Sequence, residues 1–85
     1  MIALEGKVAV VTGGAAGIGE ATVRTMVELG AHVVIADVDV VRAQALVADL
    51  TAKGGSVISC RADILIEDDI AAMIAVAVNR FGGLD

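Results

Sequence analysis

Lys7-Val8-Ala9-Val10-Val11-Thr12-Gly13-Gly14-Ala15-Ala16-Gly17-Ile18-Gly19 is the stretch from which the rest of the chain is read. Its first half is a short apolar, β-branched run, the pattern of a strand buried on both faces as in parallel sheets. The run empties into a turn with glycines at 13, 17 and 19, and the turn opens a helix. Without Cβ atoms such a turn can take φ > 0 and let a ligand approach the main chain. A helix starting near Gly17 aims its unpaired N–H groups and positive dipole end at the same point, which suits a pyrophosphate. Glycines alone would also fit a plain tight turn, and the spacing is not the common G-x-G-x-x-G. The context adds weight: a strand before, a helix after, and an acidic residue at the end of the next strand. Together they predict a dinucleotide cradle at the first strand–helix turn of a Rossmann-type sheet.

Working outward, strands alternate with helical stretches and no repeat or low-complexity linker intervenes. The first strand covers 7–12 and the first helix about 17–29, with Ile18, Ala21, Thr22 and Leu29 on its inward side and Gly30 just past its end. A second strand, 32–36, ends at Asp37. The next helix, about 40–52, is capped by Asp39 and carries Ala43, Leu46, Val47 and Leu50 as its apolar stripe. The third strand, 56–62, ends at Asp63. The third helix spans roughly 67–81, with Ile70, Met73, Ile74, Ala77, Val78 and Phe81 at helical spacing. Leu84-Asp85 has the look of a fourth strand's first residues.

The expected fold class is therefore α/β: a Rossmann-type β-α-β-α-β-α unit with parallel strand order 3-2-1, truncated before strand four. Residues 1–85 make one partial dinucleotide-binding domain. Right-handed crossovers place the first two helices on one face and the third on the other. The first strand is then an apolar, unpaired edge, expected to self-associate with another copy or to be covered in a larger chain.

Composition narrows the function. The 85 residues are 58% hydrophobic but only 1% aromatic, a balance that suits helices on a parallel sheet. The formal net charge of −5 disfavours nucleic acid or an anionic membrane surface as partner. No apolar run approaches membrane-spanning length and no charged-then-apolar leader opens the chain, so a soluble, cytoplasmic protein is expected. The one cysteine, Cys60, forms no internal disulfide, fits a reducing compartment, and reads as a small core hydrophobe. His32, the one histidine, lies at the strand end remote from the cradle with no partner cluster, so no metal or catalytic role is expected. Glu67, Asp68 and Asp69 read as charge at a helix start on a wet surface.

Asp37 falls eighteen residues after Gly19, at the carboxyl end of the second strand. A carboxylate there accepts hydrogen bonds from both ribose hydroxyls of an adenosine. It also rejects a 2′-phosphate, because like charges about 4 Å apart repel by roughly 4 kcal/mol at a surface-like dielectric. An NADP site would place a basic residue nearby. Here the neighbour is Val38 and the residue before Gly17 is Ala16, both uncharged, so NAD is the expected cofactor. The bland alternative for Asp37 is a solvated residue at a strand end.

Thr12-Gly13-Gly14-Ala15-Ala16-Gly17-Ile18-Gly19 resembles the T-G-x-x-x-G-I-G motif of the short-chain dehydrogenase/reductase family, and the lead-in from Leu4 to Val11 is similar to the way such chains begin. The resemblance runs from about Leu4 to Asp85. It implies cofactor binding through Gly13, Ala16, Gly17, Ile18, Gly19, Asp37, Val38, Asp63 and Ile64. Asp63 would contact the adenine amino group and the Ile64 backbone would bond the ring; a plain loop aspartate is the alternative. Family members often carry Thr or Ser where this chain has Leu65, so the usual hydroxyl cap of the third helix is missing.

The family interconverts a carbonyl and an alcohol using a tyrosine with lysine, serine and asparagine. This chain contains no Tyr, and those residues belong to segments after the fourth strand. No catalytic residue is assigned here. The expectation is an NAD(H)-binding portion, inactive alone, whose small alcohol or ketone substrate is met only in a longer chain. Two rivals remain: a non-catalytic nucleotide-binding or assembly module complete as written, and a methyltransferase of another Rossmann class, against which Thr12 and the glycine spacing count.

Overall fold

The computed structural model describes residues 4–85. Its elements run β1 (Val8–Thr12), α1 (Gly17–Glu28), β2 (His32–Asp37), α2 (Val40–Ala52), β3 (Ser56–Arg61) and α3 (Glu67–Phe81). The strands form one parallel sheet in the order β1-β2-β3, with Val10 opposite Val34 and Val34 opposite Ile58.

β2 is the centre because its sequence lets it be covered on both faces. Val33, Val34, Ile35 and Ala36 are all buried, and alternation along the strand sends them in opposite directions. Val33 and Ile35 join Val23 of α1, Ala43, Leu46 and Leu50 of α2, and Val57 in the larger core. Val34 joins Val8 and Ala77 of α3 in a second core, flanked by Val10, Ile58, Cys60, Val76 and Phe81. Helices α1 and α2 therefore share one face and α3 takes the other, the arrangement that right-handed crossovers demand. Each fully buried Val or Ile on β2 contributes about 1.5–3 kcal/mol.

The element boundaries match the sequence expectation to within a residue: β1 starts at Val8, α1 stops at Glu28 and β3 stops at Arg61. The inward face of α1 does not match. Ile18, Ala21 and Thr22 are exposed and Leu29 is half-buried, while Val23 is fully buried with Met26 and Val27 packed beside it. The stripe lies on the opposite side because the inward position of the first turn belongs to Gly19, which shows no hydrophobic side chain to a periodicity count. In α3 the expected stripe is only partly covered. Ala77 is buried and Ile70, Met73 and Phe81 are half-buried, but Ile74 and Val78 stay exposed and Val76 packs in their place. That face has just one helix, so its outer side meets no second layer among the described residues.

After α3, Gly82 adopts φ 83 and the chain turns back to β1. The Asp85 N–H donates to the Val8 carbonyl at 2.9 Å, and the Val8 N–H donates to Asp85 Oδ2 at 2.8 Å. Leu84-Asp85 thus reaches the place expected of a fourth strand. By the alternation of a parallel ladder, Val10 and Thr12 present their backbone groups to the same open edge.

Candidate functional site

The carboxyl ends of the three strands enclose a cleft of about 400 Å³, lined by Thr12, Gly13, Ala36, Asp37, Val38, Ala62, Asp63, Ile64 and Leu65. One wall is the glycine turn. Gly13 and Gly17 adopt φ 64 and 58, which an L side chain resists. At Gly19 the reason is space: a Cβ would run into the Gly13 carbonyl. Gly14 is buried, and a Cβ on it would sit 3.0 Å from Val23 and 3.1 Å from Ile35, so it lets the turn lie directly on the core.

α1 leaves this turn without a side-chain cap, since its N-cap residue is Ala16. The first bond inside the helix is Glu20 N–H to the Ala16 carbonyl at 3.2 Å. The N–H groups of Gly17, Ile18 and Gly19 have no partner within the helix, and together with the dipole they give this end the chemistry that suits an anion.

Asp37 stands on the same rim. Its Oδ2 accepts the Ala15 N–H at 3.1 Å, and its Oδ1 accepts the Asp39 N–H at 2.9 Å. Each oxygen keeps a second lone pair for an incoming hydroxyl. Val38 and Ile64, each 56% exposed, and Leu65, 89% exposed, form an apolar wall beside the two carboxylates. Among the described residues no cation lines the cleft. Arg61 turns to Asp69 at 3.7 Å.

Asp63 makes a tight turn of its own, with Oδ1 accepting the Leu65 N–H at 2.9 Å. Below it, burial first and then the charge of Asp69 push the Cys60 thiol up. That residue is a half-buried neighbour of the second core, as its place in a strand predicts.

Of the sequence-derived residues, Gly13, Asp37, Val38, Asp63 and Ile64 line the cleft, and Ala16, Gly17, Ile18 and Gly19 form the helix start beside it. His32 lies at the far end of the sheet, stacked on Phe81 with centroids 5.0 Å apart and its Nδ1 2.7 Å from Ser56 Oγ. Sequence reasoning missed Gly14, Ala15 and Asp69. The reading of Asp69 as mere surface charge needs correction: its Oδ2 accepts the Asp63 N–H at 3.0 Å. A carboxylate at the third helical position after an uncapped start is placed to reach back as in a capping box, though here it passes the N-cap Ile66 and takes the Asp63 N–H; that signal could have found it.

A larger groove of about 480 Å³ lies between the C-terminal ends of α1 and α2. Its cations are already engaged, Arg24 with Glu20 and Asp49 and Lys53 with Asp49, so it offers little to an anion. Among the described residues no group of three or more His, Cys, Asp or Glu side chains could hold a metal ion, and no helix is long and apolar enough to cross a membrane.

Residues 7–85 match the family model described as short chain dehydrogenase. The chain belongs to the short-chain dehydrogenase family. Among its family relatives, momilactone A synthase from Oryza sativa subsp. japonica is 49% identical over 82 residues, covering 96% of this chain and 29% of the relative. A short chain dehydrogenase/reductase from Burkholderia phymatum, solved in complex with NAD, superposes with a TM-score of 0.93 at 36% identity, over 99% of this chain and 30% of that one. A 7α-hydroxysteroid dehydrogenase complexed with NADH and 7-oxo glycochenodeoxycholic acid gives a TM-score of 0.95 at 35% identity, over 98% and 32%. This short-chain dehydrogenase chain spans about a third or less of the length of the relatives it matches. It corresponds to the nicotinamide-cofactor-binding region of such oxidoreductases, in a Rossmann-type arrangement.

Proposed function

We propose that residues 1–85 form a single partial domain that binds NAD(H) for a carbonyl/alcohol oxidoreductase. The fit rests on this chain's own atoms: a turn that Cβ atoms would obstruct at Gly19, three unpartnered N–H groups for the pyrophosphate, and a fixed carboxylate for the ribose. The observation that carries NAD over NADP is Asp37, held by two backbone amides in a cleft that no cation lines among the described residues. A 2′-phosphate would meet that charge unscreened. Bound there, the dinucleotide supplies hydride transfer. Gly13, Ala16, Gly17, Ile18 and Gly19 hold its diphosphate, Asp37 and Val38 the ribose side, and Asp63 and Ile64 the adenine.

The chain's lack of Tyr supports a portion that binds cofactor without turning over substrate; a small alcohol or ketone would be met by residues outside this stretch. The single free Cys60 suits a reducing compartment such as the cytoplasm. Calorimetric titration of the complete polypeptide with NADH and NADPH tests the cofactor. Binding of NADH at least tenfold tighter is expected, and equal or tighter binding of NADPH overturns the choice.

The open edge of β1 favours a second reading, an assembly module in which two copies pair through Val10 and Thr12. Light scattering on the 85-residue chain discriminates: a monodisperse dimer supports it, and a monomer removes it.

A further inference from the structure

The turn between β3 and α3 is held by a side chain from inside the helix. No cap residue closes the start of α3: Ile66 stands there, and Leu65 before it is apolar. Asp69 turns back across the gap instead. Its Oδ2 accepts the Asp63 N–H at 3.0 Å and lies 3.7 Å from the Arg61 guanidinium. Its side chain is only 25% exposed, against 60% for Arg61. Asp63 then spends its remaining local capacity within the turn. Its carbonyl accepts the Ile66 N–H at 3.0 Å, and its Oδ1 accepts the Leu65 N–H at 2.9 Å.

Two groups at the cleft are left without a protein partner among the described residues: Asp63 Oδ2 and the Ile64 N–H. One is an acceptor and the other a donor, on adjacent residues. Adenine presents the complement, an exocyclic NH₂ beside a ring nitrogen acceptor. Hypoxanthine presents the reverse, a carbonyl oxygen beside a ring N–H.

We infer that Asp69 is a positioning residue for base recognition, fixing the Asp63 backbone so that this acceptor–donor pair faces the cleft and discriminates adenine from hypoxanthine. Asp69 does not touch the ligand. It acts through Asp63, and the Arg61 guanidinium lies 3.7 Å from its carboxylate. The inference rests on the NAD(H) reading above and adds to it the residue that sets base selectivity.

The test compares three probes on the complete polypeptide: NADH, reduced nicotinamide hypoxanthine dinucleotide, and reduced nicotinamide mononucleotide, which lacks the base altogether. The wild type is expected to favour NADH over the hypoxanthine analogue by about tenfold, the order of one hydrogen bond to a charged group. Asp63→Ala should abolish that preference. Asp69→Ala should reduce it to within about twofold of unity while affinity for the mononucleotide is unchanged, a pattern that general loosening of the fold would not give. Asp69→Leu, which keeps bulk without an acceptor, is the second variant should alanine fail to fold. Asp69→Asn, which keeps an acceptor oxygen, should restore most of the preference. If Asp63→Ala loses discrimination but Asp69→Ala or Asp69→Leu retains it, the role of Asp69 is overturned and the NAD(H) reading stands. If the wild type does not discriminate at all, the base site itself is misassigned.

Discussion

The Asp37 carboxylate accepts the Ala15 N–H at 3.1 Å, which joins the end of β2 to the middle of the glycine turn. The residue expected to meet the ribose is therefore also a brace for the loop expected to meet the pyrophosphate. Asp37→Ala should weaken NADH binding by more than tenfold, because it removes charge-assisted ribose bonds and leaves the Ala15 amide unpaired. Asp37→Asn, which can still accept from Ala15, should lose less. Calorimetric titration of both variants separates the two contributions; equal losses would mean that the brace is unimportant.

Gly19→Ala tests the turn directly. The added methyl group would meet the Gly13 carbonyl, which is backbone and cannot swing aside. A loss of at least about 1–3 kcal/mol of stability is expected, the range for overpacking, together with loss of NADH binding. Chemical denaturation and titration on the same preparation check both.

The larger core should be most sensitive at Ile35, among the largest of the fully buried side chains. Ile35→Ala should cost about 2–5 kcal/mol. Ile18→Ala, by contrast, should change stability by less than about 0.5 kcal/mol because Ile18 is 88% exposed. Denaturant midpoints measured side by side give the comparison, and a larger effect at Ile18 would contradict the observed face of α1.

Between α1 and α2, hydrogen bonds from Arg24 and then Lys53 hold the Asp49 carboxyl below its ordinary value of 3.8. Its stabilising effect is then complete above that ordinary value and fades as pH falls through the lowered one. Asp49→Asn should reduce the melting temperature slightly near neutral pH, and the gap should close as the pH drops below about 3.8. A gap that widens in acid would reverse the sign. Thermal melts across pH 2–7 read it, as an estimate of the titrating range of a carboxylate.

Cys60 should react slowly. Burial and the nearby Asp69 charge both favour its neutral thiol, so alkylation by iodoacetamide in the folded state should lag far behind that in denaturant. Equal rates would place the thiol outside the second core.

What the sequence made legible follows from what periodicity can see. β2 reads as a strand because Val33-Val34-Ile35-Ala36 is apolar throughout, and α2 reads correctly because Ala43, Leu46 and Leu50 all face inward with Asp39 as cap. The cleft was legible too, since Gly13, Asp37 and Asp63 each mark a strand's carboxyl end. α1 was misread because Gly19 and Glu20 occupy its inward first turn, where no apolar side chain betrays the face. Gly14, Ala15 and Asp69 escaped notice for a different reason. The roles of Gly14 and Ala15 lie in contacts, Gly14 against Val23 and Ala15 to Asp37, that exist only once distant segments meet, whereas Asp69 to Asp63 is a local contact within one turn.

Three ties lash the upper rim together: Gly13 N–H to the Ala36 carbonyl at 2.9 Å, Ala62 N–H to the Asp37 carbonyl at 3.2 Å, and the Ala15 N–H to the Asp37 side chain. All three converge on two consecutive residues, Ala36 and Asp37. Damage at that pair would loosen the floor under both ends of a long ligand at once, so a mutational survey should find affinity failing there as a unit, not subsite by subsite.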